Sequence, residues 1–257
     1  MSIYHEQEFG LASLIAKERL TLERETHDFD HVIEAVLPAN LATPLIIGID
    51  GSVTAGKSFL SSRMDAFLRR QGIDCVVIHG DWYMSSRKRR TQEVEAATRG
   101  RYDMATFDMA VCNYEEIAAT QAQVFDFLQS GNDSLNFKLS GAYSRDSGEL
   151  DATIDLSITN KSIVIFEGTG VINSIMKPKF DLSIRLDVGT YDETVKRLCR
   201  RESEKEVSLR IPEEQVKKRY DLIDYRYDGY LRSRDSGYFD VLLDTSNEAL
   251  TAIYKRN

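Results

Sequence analysis

The sequence predicts an α/β fold, in which a doubly wound and mostly parallel sheet carries helices on both faces. Five short segments, most of them continuous apolar runs, are typical of strands buried on both faces, and they occupy 45–49, 75–78, 163–166, 182–186 and 241–243. Segments with apolar residues at helical spacing separate them. Strands that alternate with helices indicate a parallel sheet.

The composition limits the class of protein. A chain of 257 residues forms one large domain or two small ones, and one is favoured because no internal repeat or linker is visible. Its 33 Lys and Arg against 41 Asp and Glu argue against nucleic-acid and polybasic membrane partners. No apolar run approaches the ~20 residues that span a bilayer. Three scattered cysteines without metal or disulfide spacing indicate a reducing cytoplasm.

Residues 1–43 are predicted to form a helical extension, followed by a main domain over 44–257. Apolar residues recur at helical spacing at Leu11, Leu14, Ile15 and Leu22, and again over 32–37. The extension either packs on the main domain or serves as a dimerisation arm. A homo-oligomer is therefore one of the states that we expect.

A glycine-containing loop follows the first strand of the main domain and opens its first helix. It fits the pattern G-x-x-x-x-G-K-[ST] with Gly51, Ser52, Val53, Thr54, Ala55, Gly56, Lys57 and Ser58. Backbone N–H groups of such a loop point at phosphate oxygens, and the helix N-terminus adds a favourable dipole. We therefore predict a nucleotide site, with Lys57 between the β- and γ-phosphates and the Ser58 hydroxyl on Mg²⁺.

Motifs elsewhere in the sequence indicate which class of nucleotide-binding protein this is. A GTPase needs an N-K-x-D motif, and the nearest string, 160–163, has Ile163 where Asp is required. The third strand ends in Glu167 and then Gly168, whereas a motor-type ATPase would have an Asp-Glu pair. A single carboxylate at the carboxyl end of a strand, where α/β sheets bind ligands, suits a small-molecule kinase.

Asp81 follows the end of the second strand, so we expect it at the same sheet edge as Glu167. Its predicted role is to accept the proton of an acceptor hydroxyl and to help place Mg²⁺. The alternative is a helix N-cap, which is common for Asp after a strand.

The remaining elements complete the alternation. Helices are predicted over 58–71, 107–129, 191–206 and 212–233, the last with Pro212 in its first turn. Two strand-like segments, 134–139 and 152–158, flank a polar turn and predict a hairpin.

Several motifs arrive in an order that resembles the uridine kinase and phosphoribulokinase family. After the loop come Gly-Asp-Trp-Tyr at 80–83, Tyr-Asp at 102–103, Phe-Asp at 107–108, Tyr-Ser-Arg at 143–145, Phe-Glu-Gly at 166–168 and an arginine-rich segment at 197–201. The resemblance covers about 44–245. It implies a P-loop nucleoside-kinase-like fold with a flap hairpin and a helical lid, and it implies ATP with Mg²⁺.

The resemblance also implies roles for single residues. Asp81 matches the family's general base, and Glu167 matches its Mg²⁺-associated glutamate. Four residues match positions that lie on the acceptor side in the family, namely Tyr83, Asp103, Tyr143 and Arg145. Arg197 and Arg200 match the family's lid arginines, which close over the ATP phosphates.

Two departures alter the predicted acceptor pocket. Uridine kinases place a His at the position of Tyr143, and Asp103 is followed by Met-Ala where the family has His-Pro. The sequence therefore predicts an ATP-dependent kinase of a small-molecule hydroxyl, uridine kinase-like, with pantothenate, a sugar or a sugar phosphate as alternative acceptors.

Three questions stay open at this point. The basic run 87–90 is either a solvated face or a site for an anionic acceptor. A nucleotide-dependent switch or ATPase without a small acceptor is a second class of function. A non-catalytic binding protein built on a kinase fold is a third.

Overall fold

The computed structural model describes residues 14–15, 20–39, 41, 43–99, 103–173, 180–205, 207, 210–234, 238–247 and 250–256. Its strands are, in chain order, β1 (Leu20–Thr26), β2 (Leu45–Gly51), β3 (Cys75–His79), β4 (Ser134–Ala142), β5 (Ala152–Thr159), β6 (Ile163–Glu167), β7 (Leu182–Asp187), β8 (Val241–Asn247) and β9 (Leu250–Arg256). Seven form one sheet in the order β1-β9-β8-β7-β2-β6-β3. The strands from β8 to β3 are parallel, which confirms the predicted mostly parallel sheet.

Helices cover both faces of this sheet. Within the described ranges they are α1 (Phe29–Val36), α2 (Lys57–Arg70), α3 (Arg87–Thr98), α4 (Met104–Val111), α5 (Tyr114–Ser130), α6 (Tyr191–Ser203), α7 (Glu213–Arg219) and α8 (Tyr225–Arg234). A 3₁₀ turn at Gly80–Tyr83 follows β3, and a π-helical turn at Tyr220–Asp224 joins α7 to α8. In the part of the chain described, no helix has the length and apolar character needed to cross a membrane.

The packing of β2 shows why its residues 45–49 form a continuous apolar run. Ile47 and Ile49 are fully buried in a cluster with Leu60 and Met64 of α2. Ile46 is an odd number of residues from Ile47 and Ile49, so it faces the other side of the sheet. It lies in a second cluster with side chains of α5 and β4. A strand covered on both faces has no solvent side, so the continuous apolar run follows.

The segment before residue 44 differs from the predicted helical extension. Leu20–Thr26 is β1, which pairs antiparallel with β9 in the main sheet, and β9 was itself not predicted. The backbone groups of β1 bond to another strand, a distant partner that helical spacing cannot reveal. The expected helix is wrong here, and Leu22 is exposed. Leu11 lies outside the described residues.

The helical prediction is correct for α1. The side chain of Asp28 caps the helix by accepting a hydrogen bond from the N–H of Asp30. Val32, Ile33 and Val36 are buried in the same cluster as α2. This part of the N-terminal segment therefore packs against the sheet, and the dimerisation arm and the boundary after residue 43 stay predictions.

The predicted helix over 107–129 is two helices. α4 ends before Cys112, whose extended backbone forms a β-bridge with Met84. Asn113 then caps α5, because its side chain accepts a hydrogen bond from the N–H of Glu116. Asn is among the strongest N-cap residues, so the break has a local cause. The predicted hairpin is confirmed, with β4 and β5 paired antiparallel.

Candidate active site

The phosphate loop connects β2 to α2 at the carboxyl edge of the sheet. Gly51 ends β2 with φ 150°, and a Cβ there would lie 2.0 Å from the carbonyl oxygen of Leu186 on β7. Only glycine fits this close approach. Gly56 is the N-cap residue of α2, so the loop runs into a helix N-terminus, where N–H groups and the helix dipole favour an anion.

Lys57 folds back over the loop. Its Nζ donates to the carbonyl oxygens of Gly51 and Ser52, at 2.9 Å each. Burial lowers the pKa of Lys57, and nearby carboxylates, first Asp50 and then Glu167, oppose that shift. An ammonium group that rests on loop carbonyls can exchange these contacts for charge-assisted bonds to phosphate oxygens.

Ser58 and Glu167 meet although they are far apart in sequence. Ser58 Oγ lies 3.2 Å from Glu167 Oε1 and 3.3 Å from Oε2, and Glu167 is buried at the end of β6. A hydroxyl and a carboxylate are oxygen ligands of the kind that Mg²⁺ prefers, so the pair fits this metal. No group of three or more His, Cys, Asp or Glu among the described residues could hold a metal ion.

Asp81 contacts the tip of the flap, by which we mean the β4–β5 hairpin and its connecting turn 143–151. Asp81 lies in the 3₁₀ turn after β3, and β3 neighbours β6 in the sheet. Arg145 forms an ion pair with it, with Nε 3.0 Å from Oδ2 and a second contact from Nη2. The Asp81 carboxylate raises the pKa of Arg145. Two residues predicted for different roles thus lie in direct contact.

The basic run at the start of α3 holds the flap. Arg87 donates through its backbone N–H to the carbonyl of Gly148 at 2.8 Å and through Nη2 to the carbonyl of Arg145 at 2.7 Å. The guanidinium of Arg90 lies 4.1 Å from the ring centroid of Tyr143, which is a cation–π contact. The run is therefore more than a solvated face, since two of its four residues contact the flap.

Tyr83 and Asp103 have structural contacts of their own. Tyr83 is buried, its hydroxyl donates to Thr120 Oγ1 at 3.0 Å, and burial raises its pKa to about 12. Asp103 is exposed and caps α4, and the N–H of Thr106, 2.9 Å away, lowers the pKa of this carboxyl. The acceptor contacts predicted for both residues stay predictions.

Arg197 and Arg200 lie one turn apart on α6. Arg197 donates through Nε to Glu193 at 2.9 Å and through Nη2 to the carbonyl of Thr245. Its Nη1 lies 3.5 Å from the carbonyl of Thr54 in the phosphate loop. Arg200 is exposed. One of the two arginines thus packs against the loop, and the lid role of both stays a prediction.

Asp50 is a buried carboxylate that no motif singled out. Its Oδ1 accepts from the N–H groups of Gly51 at 2.5 Å and Gly170 at 2.9 Å, and its Oδ2 accepts from that of Ile172 at 2.9 Å. These bonds tie the phosphate loop to the loop after β6. The available signal was a charged residue inside an otherwise apolar strand.

Asp108 anchors a second buried network. It accepts hydrogen bonds from the hydroxyl of Tyr114 at 2.6 Å, from the hydroxyl of Tyr227 and from Arg234. Burial raises its pKa in spite of these partners. The network joins α4, α5 and α8. No local pattern predicts it, because its members come from three separate elements.

Residues 46–233 match the sequence model of the Phosphoribulokinase / Uridine kinase family. The chain belongs to this family. Kinases of the phosphoribulokinase / uridine kinase family act on small molecules and use ATP, typically with Mg²⁺. Membership agrees with the loop, Glu167 and Asp81 at one sheet edge.

Two solved structures share the fold of this chain, and the names of both proteins are provisional. A uridine kinase from Bacillus stearothermophilus is 18% identical with a TM-score of 0.51, and the match covers 83% of this chain and 96% of that one. A fructose transport system kinase from Silicibacter sp. TM1040 is 15% identical with a TM-score of 0.51, covering 80% and 95%. At these identities the likeness shows the fold alone. No curated protein matches the sequence.

Proposed function

We propose that the protein is an ATP-dependent kinase that transfers the γ-phosphoryl group to a hydroxyl of a small metabolite. The observation that carries the proposal is the convergence of Lys57, the Ser58–Glu167 pair and Asp81 at the carboxyl edge of β2, β3 and β6. A phosphate-binding cation, metal-binding oxygens and a carboxylate base are the parts that phosphoryl transfer to an alcohol requires.

Each group has a separate task in this reaction. The loop N–H groups and Lys57 hold the phosphates, and Ser58 and Glu167, with Asp81 nearby, would hold Mg²⁺. When bound, Mg²⁺ supplies charge that neutralises the phosphate oxygens. Asp81 accepts the acceptor's proton while the hydroxyl oxygen bonds to the γ-phosphorus and the phosphorus–oxygen bond to ADP breaks. Arginines 197 and 200 would add positive charge over the phosphates, and lid closure would exclude water.

Arg145 controls Asp81 in this scheme. The guanidinium of Arg145 occupies Oδ2 of Asp81, so Arg145 has to leave this oxygen before an acceptor hydroxyl can donate to it. The guanidinium is mostly exposed, which leaves it room to turn. An acceptor bound under the flap would offer Arg145 oxygen atoms in place of the carboxylate.

The acceptor class is proposed from the family and the flap together. Membership of the family makes a uridine kinase-like reaction the first candidate. Tyr143 stands where uridine kinases have a His, and Arg90 lies over its ring, so pantothenate, sugars and sugar phosphates are the alternatives. A cytoplasmic location and a homo-oligomeric state are further expectations.

A phosphate-transfer screen with the full chain, Mg²⁺ and γ-labelled ATP tests the proposal. The candidates are nucleosides, pantothenate, sugars and sugar phosphates. We expect one class to yield labelled product with an equal amount of ADP. ATP consumption that depends on no acceptor would instead indicate a switch or ATPase, and failure to bind Mg-ATP would indicate a non-catalytic protein.

A further inference from the structure

His79 contacts the buried carboxylate of the candidate metal site. It is the last residue of β3 and lies directly beside Glu167 of β6 in the strand register. The two atoms His79 Nδ1 and Glu167 Oε1 are 2.5 Å apart. A carboxylate accepts, so Nδ1 carries the proton and donates it. Neither the phosphate loop nor the Asp81 motif includes this residue.

The contacts of Glu167 are unequal between its two oxygens. Oε1 receives the imidazole N–H and the nearer contact of the Ser58 hydroxyl. Among the described residues, Oε2 is contacted by the Ser58 hydroxyl alone, at 3.3 Å. The imidazole therefore fixes the rotation of the carboxylate, and Oε2 keeps lone pairs for a cation beside Ser58.

His79 is itself held in place from a second side. Its ring packs edge-on against Trp82, with centroids 5.0 Å apart and planes at 70°. Trp82 belongs to the same 3₁₀ turn as Asp81. His79 thus connects the turn that carries the base with the strand end that carries Glu167.

We infer that His79 is a positioning residue that orients Glu167 for Mg²⁺ in the nucleotide complex. The inference rests on the proposed function for the identity of the metal. Hydrogen-bonded neighbours of metal ligands typically change metal affinity or activity by about 10- to 100-fold when they are removed. We expect an effect of that order on Mg²⁺-dependent nucleotide binding.

Two variants separate the hydrogen bond from the packing. His79→Phe keeps a ring beside Trp82 and removes the donor, whereas His79→Asn places an amide N–H near the position of Nδ1. Affinity for ATP is measured by calorimetry with Mg²⁺ and with EDTA. We expect His79→Phe to lose about 10- to 100-fold of affinity with Mg²⁺ and none with EDTA. We expect His79→Asn to recover most of that loss.

The matched control is His31→Phe, since His31 is exposed on α1 outside the site. It should bind like the wild type in both buffers. Equal affinities of His79→Phe and the wild type with Mg²⁺ would overturn the inference. So would an equal loss in both buffers, or failure of His79→Asn to recover while its melting temperature is normal. Should His79→Phe not fold, His79→Ala replaces it.

The same titrations keep the two proposals apart. A wild type that binds ATP more tightly with Mg²⁺ but phosphorylates no acceptor contradicts the proposed function and leaves the role of His79 intact. A wild type whose ATP affinity does not respond to Mg²⁺ overturns the role of His79, whatever the acceptor screen shows.

Discussion

Strand ends bring together the side chains that carry the proposed chemistry. Glu167 ends β6, Asp81 follows β3, and Lys57 follows the loop after β2. Parallel strands present their carboxyl ends at one edge, where α/β sheets bind ligands. For this reason the place of each residue at or after a strand end was enough to predict that the three lie at the same sheet edge.

Tyr83 shows the limit of that argument. It is two residues from Asp81 in the same 3₁₀ turn, yet its hydroxyl bonds to Thr120 in the core. With about three residues per turn, positions two apart point about 120° away from each other. One motif thus directs two side chains to different surroundings, and the acceptor contact of Tyr83 stays a prediction.

Asp81→Asn should abolish turnover and leave ATP affinity nearly unchanged. The amide has a similar volume but cannot take the proton of the acceptor hydroxyl, and general-base catalysis contributes about 10²- to 10⁴-fold to a rate. Steady-state rates and calorimetric titration with ATP measure the two effects. Asp146→Asn, exposed on the same flap as Arg145, is the control and should keep full activity. Full activity in folded Asp81→Asn would contradict the assignment.

Direct contacts join helix α3 to the flap. Arg87 bonds to two carbonyls of the flap turn, and Arg90 covers Tyr143. The position of Arg145 on Asp81 therefore depends on a helix that supplies no predicted catalytic residue. The charge run was visible in the sequence, but its partners were not, because the flap residues that it contacts lie more than fifty residues further along.

The double substitution Arg87→Ala with Arg90→Ala should loosen the flap. Amide hydrogen exchange over 143–151 should accelerate, and KM for the acceptor should rise. Affinity for ATP should stay within about twofold, because the contacts of these two arginines with other described residues do not include the phosphate loop. Lys88→Ala, exposed on the same helix, is the control. Unchanged exchange over 143–151 would show that α3 does not restrain the flap.

Buried charges join α8 to the sheet across the molecule. Arg232 forms an ion pair with Asp187 at the end of β7, with Nη2 2.5 Å from Oδ1. Asp228, one turn earlier on α8, is buried, and desolvation raises its pKa to about 7. Arg232 opposes this shift, whereas Asp187 and Asp224 increase it. Part of the folding stability therefore depends on the protonation of a buried carboxyl group.

Asp228 should make the protein less stable as pH rises from about 4 to about 7. Its ordinary pKa is 3.8, so over this window the folded chain holds a proton at Asp228 that the unfolded chain has released. Stability falls with pH wherever the folded state binds more protons. Urea unfolding at pH 5 and pH 8 should show a larger loss of unfolding free energy in the wild type than in Asp228→Asn. Asp192→Asn, exposed on α6, should follow the wild type, and equal losses in all three proteins would contradict the prediction.

The sequence alone determined the parallel α/β class, the phosphate loop, the two strand-end carboxylates and the flap hairpin. Each of these depends on a local pattern, such as an apolar run, a short motif or turn residues between two strands. Only the tertiary structure decided that Leu20–Thr26 is an edge strand, that the basic run holds the flap and that His79 contacts Glu167. These features depend on which groups satisfy each other's hydrogen bonds and charges across the fold, and residues far apart in the chain leave no periodic signal of that pairing.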